Sequence, residues 1–236
     1  LPAVLGGGGL TVRALDLGRV GYEAADAFQR AEVRRIQEGE GTPALLLLEH
    51  DPVLTLGAAF QPVNLLHPED WYRERGIEVL PTDRGGDVTF HGPGQLVAYP
   101  LMPIRKIGLH GWLRGLEECA MRVCEGYELS PRRFAPHTGV WLGHEKVCAI
   151  GVKVSRWVSF HGLALNCEND LSPFGEIVPC GIQGYGVTSL SRSIGTRISV
   201  EEVKPRLLQA FSDVFSVSVT PLEPCPLSST FPTPAA

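Results

Sequence analysis

The chain has 236 residues, 44 % of them hydrophobic and 20 % charged, with a formal net charge of −5. That length suits one well-buried globular domain, and the acidic balance argues against nucleic acid or an anionic membrane as the main partner. Local basic patches still leave room for an acidic carrier protein.

No apolar run approaches the roughly 20 residues that span a bilayer. The opening LPAVLGGGGLTVR lacks both the basic region and the apolar core of a secretory signal. It also lacks an initiator methionine, which leaves the natural N-terminus open. Residues 1–10 read as a loose segment, 11–220 as the folded domain, and 221–236, rich in Pro, Ser and Thr, as a disordered tail.

Thr11–Leu17 reads as a first strand. Tyr22–Glu38 reads as a helix, with Ala25, Phe28 and Ile36 near one face and Gly39 as its stop. Ala44–Glu49 (ALLLLE) is apolar on both sides, as a central strand would be. His50-Asp51-Pro52 breaks it before Val53–Leu56; a short helix within His67–Arg75 and a strand at Ile77–Pro81 follow. Asp83–Pro100 (DRGGDVTFHGPGQLVAYP) holds strand-like Asp87–Phe90 and Gln95–Tyr99. Turn chemistry alone makes it a tight hairpin closed by HGPG. A plain turn does not need Arg84, Thr89 and His91 around it, and Gly-rich backbone beside Arg and His can hold a small polar group. The stretch is neither a Walker loop nor a dinucleotide fingerprint.

Leu109–Gly126 is an amphipathic helix carrying Trp112, Leu113, Leu116, Ala120 and Val123 at helical spacing. A hairpin through Gly143-His144-Glu145 leads to Lys146. Two further strands, Val147–Val154 and Val158–Asn166, are joined by Ser155-Arg156-Trp157. Pro179-Cys180-Gly181 follows, a setting that suits a thiol presented beside backbone N–H donors. A lysine brought near it would favour the thiolate. Val200–Val214 closes the chain as a helix. This order predicts an α+β or mixed α/β domain around one large sheet.

Of the six cysteines, Cys119, Cys124, Cys148 and Cys167 read as small buried hydrophobes; Cys225 falls in the tail. No C-x-x-C pair or zinc spacing occurs, so free thiols in a reducing compartment are expected, with no metal. His161 is equally compatible with a structural and a functional role. Asn166 reads as a backbone tie, and Lys153 and Arg156 as solvated or facing an acidic carrier.

RGGDVTFHGPGQLVAYP, KVCAIG, SFHGLALN and PCG followed by VTSL stand in an order that resembles the lipoyl(octanoyl) transferases of lipoate biosynthesis. LLLLEHDPVLTLG and TGVWLGHEKVCAIG extend the resemblance over roughly residues 11–215. It implies a biotin/lipoate protein ligase-like fold, a large mixed sheet plus a smaller one flanked by helices. It also implies octanoyl transfer from acyl carrier protein to a lysine of lipoyl domains, those of 2-oxoacid dehydrogenases and the glycine cleavage H protein. By motif, Cys180 is the acyl-accepting nucleophile and Lys146 its activator and proton shuttle. Arg84, Gly85, Gly86, Asp87, Val88, Thr89, Phe90 and His91 match the substrate-lining segments, as do Ala149, Ile150, Gly151, Gly162, Leu163 and Ala164. Leu54 and Ala58 depart from the family's early turn.

Because a thioester is already activated, such a transfer needs no ATP and no cofactor. The expected protein is a monomer, cytoplasmic in a bacterium or mitochondrial in a eukaryote. Three alternatives stand beside it. One is an ATP-dependent lipoate or biotin ligase of the same fold, which would need no cysteine at 180; another is a lipoyl amidotransferase. The third is a non-catalytic acyl-carrier-binding module, which would need neither Lys146 nor Cys180.

Overall fold

A computed structural model describes residues 9–135, 137–178 and 185–227; Cys180 lies outside these. Its large sheet mixes parallel and antiparallel pairs in the order β12-β1-β2-β6-β10-β9-β8-β7. In chain order its strands are β1 (Thr11–Val20), β2 (Ala44–His50), β6 (Gln95–Pro103), β7 (Pro131–Phe134), β8 (His137–Leu142), β9 (Glu145–Ser155), β10 (Val158–Asn166) and β12 (Ser218–Val219). Two short strands join this sheet, β11 (Gly186–Val187) beside β9 and β13 (Glu223–Pro224) beside β1. A second sheet orders β4 (Glu78–Pro81), β3 (Val53–Leu56) and β5 (Val88–His91).

The aliphatic run of β2 explains the layering. Strand side chains alternate between faces, so Leu45 and Leu47 enter one core while Leu46 and Leu48 enter the other. On the second side α1 (Tyr22–Glu38) supplies Ala25, Phe28 and Val33. On the first, α3 (Gly108–Glu125) and α5 (Val200–Phe215) pack through Trp112, Leu116, Phe211 and Phe215. The central strands are therefore buried on both faces, as ALLLLE predicts. Pro205, the sixth residue of α5, lies inside the helix, where it leaves the Glu201 carbonyl without its i+4 N–H donor. The helix starts at Ser199 with a reciprocal Ser199–Glu202 capping box. Short α2 (Glu69–Arg73) and α4 (Leu190–Ile194) complete the set.

Two sequence expectations change here. Asp83–Pro100 is no hairpin: β5 pairs with β3 in the small sheet, whereas β6 pairs with β2 and β10 in the large one. The HGPG turn carries the chain between sheets, because the buried faces of β5 and β6 belong to different cores. Residues 221–227, expected to begin a loose tail, run beside β1: the Cys225 N–H donates to the Asp16 carbonyl (2.7 Å), and Leu227 is buried.

Among the described residues, no helix is long and apolar enough to cross a membrane.

Candidate active site

The two sheets meet around a narrow cavity of about 40 Å³. One wall is the β9–β10 hairpin. Its turn, Arg156-Trp157, holds both residues at positive φ (+44° and +66°), the two-residue geometry that matches the twist of the flanking strands. The wall presents Ala149, Ile150 and Gly151 from β9 and Gly162, Leu163 and Ala164 from β10. Small residues are obligatory at two of these places. A Cβ on Gly162 would lie 2.1 Å from the Ala98 carbonyl oxygen, and one on Gly151 would lie 2.6 Å from that of Gly85.

The facing wall comes from the loop 84–86, β5 and Tyr99 of β6. Arg84 is buried and spends its guanidinium on protein acceptors. Nη2 donates to the carbonyls of Thr55 (2.6 Å) and Asp87 (2.8 Å) and to Thr55 Oγ1 (2.8 Å). Nη1 donates to the Gly85 carbonyl (3.1 Å). It thus fixes the loop that carries Gly85 and Gly86. Alternation along β5 turns Thr89 and His91 to the cavity, and Val88 and Phe90 into the small sheet's core. Asp87 stays out of the cavity as well; its carboxylate accepts from the N–H groups of Gln61 (3.2 Å) and Val88 (2.7 Å) and from the Asn64 amide.

Hydrogen-bond chemistry sets the protonation of this wall. Gln95 Oε1 can only accept, so His91 Nδ1 carries the hydrogen (2.7 Å), leaving Nε2 as an acceptor near Thr55 Oγ1 (3.4 Å). His50 likewise donates from Nδ1 to the Val20 carbonyl (2.9 Å) and accepts the Tyr99 hydroxyl at Nε2 (2.8 Å). Burial lowers His50 to about 4, and burial, then the neighbouring His50 and Arg84, lowers His91 as well. Burial also raises Tyr99, so all three are neutral at ordinary pH.

His161 donates from Nε2 to Asp83 (3.1 Å), and its buried Nδ1 has no hydrogen-bond partner among the described residues. Burial lowers it against the pull of Asp83. Burial pushes Asp83 the other way, but hydrogen bonds from Arg30 and His161 win and hold it at about 2. His161 has φ +54° inside a strand, a conformation that costs a side-chain-bearing residue of order 1–3 kcal/mol.

Lys146 reaches the cavity from the start of β9 and is 7 % exposed. Its Nζ lies 4.9 Å from the centre of the Trp141 ring. The chain that returns after the undescribed stretch is tied to it: Val187 is its β-partner, and the Thr188 N–H donates to its carbonyl (3.0 Å). Asn166, expected to hold backbone, donates from Nδ2 to the Thr188 carbonyl (2.9 Å).

The cavity therefore gathers Lys146, Arg84, Gly85, Gly86, Thr89, His91 and all six expected residues of the hairpin wall. Tyr99, Thr138 and His161 line it too. A tyrosine among the aliphatic residues of β6 needs a hydroxyl partner, and that was the signal for Tyr99; Thr138 carried none. Burial raises Cys119, Cys124 (to about 12), Cys148 and Cys167, so all four are inert thiols. Leu54, one departure from the family pattern, is core of the small sheet; Ala58, the other, lines the groove outside the cavity.

The site thus sets a lysine beside a narrow cleft with one wall of apolar side chains and glycine. Comparisons with known proteins agree with that chemistry. Residues 22–212 match the family of the lipoyl protein ligase A/B catalytic domain. The octanoyltransferase of Rubrobacter xylanophilus is 48 % identical over 207 residues, 87 % of this chain and 93 % of that one. The human protein named mitochondrial octanoyl-[acyl-carrier-protein]:protein N-octanoyltransferase is 44 % identical over 223 residues, covering 88 % and 95 %. Among solved structures, lipoate-protein ligase A bound with ATP superposes with a TM-score of 0.76 at 18 % identity, over 91 % of this chain and 89 % of that one; this likeness speaks for the fold alone. The chain belongs to the octanoyltransferase family, within the lipoyl protein ligase A/B catalytic-domain group.

Proposed function

We propose that this octanoyltransferase-family chain moves an octanoyl group from acyl carrier protein to a lysine of lipoyl domains through a thioester on Cys180. The observation that carries the reading is Lys146, buried at the mouth of a cavity whose hairpin wall is apolar or glycine. An alkyl chain lying in that cavity gains about 0.8 kcal/mol per buried CH₂.

In the first half-reaction the Cys180 sulfur attacks the thioester carbonyl carbon, the carbon–sulfur bond to the carrier breaks, and the carrier thiolate takes up a proton. In the second, the acceptor lysine nitrogen attacks the acyl-enzyme, the bond to Cys180 breaks, and the amine gives up a proton. Lys146 is the group that relays both protons. Backbone N–H groups of the glycine-flanked loops serve the tetrahedral oxyanion, the Gly85 N–H excepted because it donates to the Val152 carbonyl. His91 Nε2, an acceptor in a neutral ring, orients a donor rather than supplying charge. The human relative's name fits the mitochondrial alternative for compartment, and the bacterial relatives fit the cytoplasmic one.

Intact-protein mass spectrometry after incubation with octanoyl-carrier protein, without ATP, tests this. One octanoyl adduct should form, labile to neutral hydroxylamine, kept in Cys148→Ser and absent in Cys180→Ala. An adduct that survives Cys180→Ala overturns the assignment. Lys146→Arg should slow both half-reactions, because arginine keeps charge but cannot relay a proton. Free octanoate with ATP should give no product above background, whereas a ligase would use that pair.

A further inference from the structure

At Lys146 the cavity meets a wider groove that follows β9 outward to Lys153. Ile150, Val152 and Val154 line it from β9, and Leu109 and Leu113 from α3. Seven residues of strand, at about 3.3 Å each, put Lys153 on the order of 23 Å from Lys146. Pairing with β8 covers β9 only from Glu145 to Cys148. Beyond that, among the described residues, no strand pairs with this edge, and only the Val152 carbonyl is taken, by the Gly85 N–H at 2.9 Å. An amide-bearing ligand laid in the groove would find backbone partners there.

The outer end is basic, in a chain whose net charge is −5. Arg105 and Lys106, in the turn before α3, are exposed, as are Lys153 and Arg156. Arg105 lies over Trp157 (5.5 Å), and Arg156 bonds the amide oxygen of Gln37. None of the four meets a carboxylate among the described residues, whereas Arg19, Arg30, Arg73, Arg122, Arg133 and Arg197 all do. Asp83 is the carboxylate that lines the groove, at its inner end, and it is already held by Arg30 and His161. Among the four cations stand Trp157 and Leu109, 44 % and 45 % exposed. An apolar pair ringed by uncompensated positive charge has the make-up of a docking patch for an acidic protein.

The distance selects which acidic protein. An acceptor lysine is a short side chain, so its domain must sit directly over Lys146. A donor whose thioester rides on a long prosthetic arm needs a seat one arm's length away and a channel between. We propose that the Arg105–Lys106–Lys153–Arg156 end of the groove seats the acidic carrier that delivers the acyl thioester, with its arm laid along β9 toward Lys146. This rests on the transferase reading above.

The test is the triple variant Arg105→Glu, Lys106→Glu, Lys153→Glu, assayed with octanoyl on its holo-carrier and with octanoyl-pantetheine, the same acyl group without the protein. KM for the carrier-borne donor should rise about tenfold or more, and kcat/KM for octanoyl-pantetheine should stay within about twofold. In the unaltered protein the carrier's advantage should shrink as salt rises toward about 1 M, where screening reaches about 3 Å. Equal losses with both donors, no loss with the carrier, or a raised KM for the lipoyl domain instead would each overturn the seat. Unaltered protein that transfers from neither donor removes the transferase reading. Direct binding of the holo-carrier by fluorescence anisotropy then decides the seat, which stands if the triple variant loses binding and falls if it does not.

Discussion

The two walls of the cavity are built on opposite principles. The hairpin wall is backbone, glycine and small aliphatic side chains, and its shape comes from how closely strands approach. The facing wall is a buried polar network in which Arg84, Thr55, His91, Gln95, His50 and Tyr99 satisfy one another. Shape made by close approach fails by clash, whereas shape made by hydrogen bonds fails when a partner is removed or protonated. A buried network with unmade bonds is worse than an apolar core, so the second wall is rigid only while complete.

The largest effect should come from the first wall. Gly162→Val places its Cβ against the Ala98 carbonyl, at 2.1 Å, and near Pro100 Cδ, at 2.7 Å. Neither can yield, because both belong to the neighbouring central strand. Loss of soluble protein, or a drop of about 3 kcal/mol or more in urea unfolding, is expected. A variant with ordinary stability would mean that β10 and β6 can part at this point.

Next comes Arg84→Ala. From the sequence, Arg84 is a loop residue whose trimming would cost about 0.5 kcal/mol or less. Its burial and its bonds to three carbonyls and a hydroxyl revise that to about 3 kcal/mol. Arg84→Lys should recover little, since one ammonium cannot reproduce the fork. Equilibrium unfolding checks both, and an Arg84→Ala protein of normal stability but low activity would return Arg84 to substrate contact.

Acid should loosen the polar wall selectively. His50 is neutral in the fold down to about 4, while the unfolded chain takes up that proton near 6.5. Stability from this group is therefore complete above 6.5 and falls as pH drops toward 4, by up to about 1.4 kcal/mol per pH unit. His91 and His161 shift in the same direction and steepen the fall. Asp83, held at about 2, loses its own contribution only as pH falls further. Urea midpoints measured between pH 7 and 4 should fall, and less so in His50→Gln; a flat profile would contradict a neutral network.

The same contrast governs what the sequence discloses. Backbone-made shape leaves local marks: the strand-like runs of β9 and β10 and the short polar turn between them disclose the hairpin itself, while its lining residues came from the family resemblance. The polar wall joins residues far apart in the chain, such as His50 with Tyr99 and Thr55 with Arg84, and no local pattern announces such pairs. HGPG was misread for the same reason, because local turn chemistry cannot say that its two strands serve different sheets. Within RGGDVTFH the motif gave the segment, but only the β5 alternation separated Thr89 and His91 from Val88 and Phe90.

The smallest effect is the most specific. If the hairpin wall measures the alkyl chain, adding volume there should change chain-length preference and little else. Ala164 is buried and lines the cavity, so Ala164→Val should push the end of the chain outward. Each methylene forced from the wall costs about 0.8 kcal/mol, or about fourfold in kcat/KM. Octanoyl should therefore fall about fourfold relative to hexanoyl for one displaced methylene. Tyr99→Phe removes a hydroxyl from the opposite wall without adding volume, so it should lower stability while leaving the hexanoyl-to-octanoyl ratio unchanged. Competition between the two acyl thioesters in one tube gives that ratio directly. A ratio moved by Tyr99→Phe and untouched by Ala164→Val would exchange the roles assigned to the two walls.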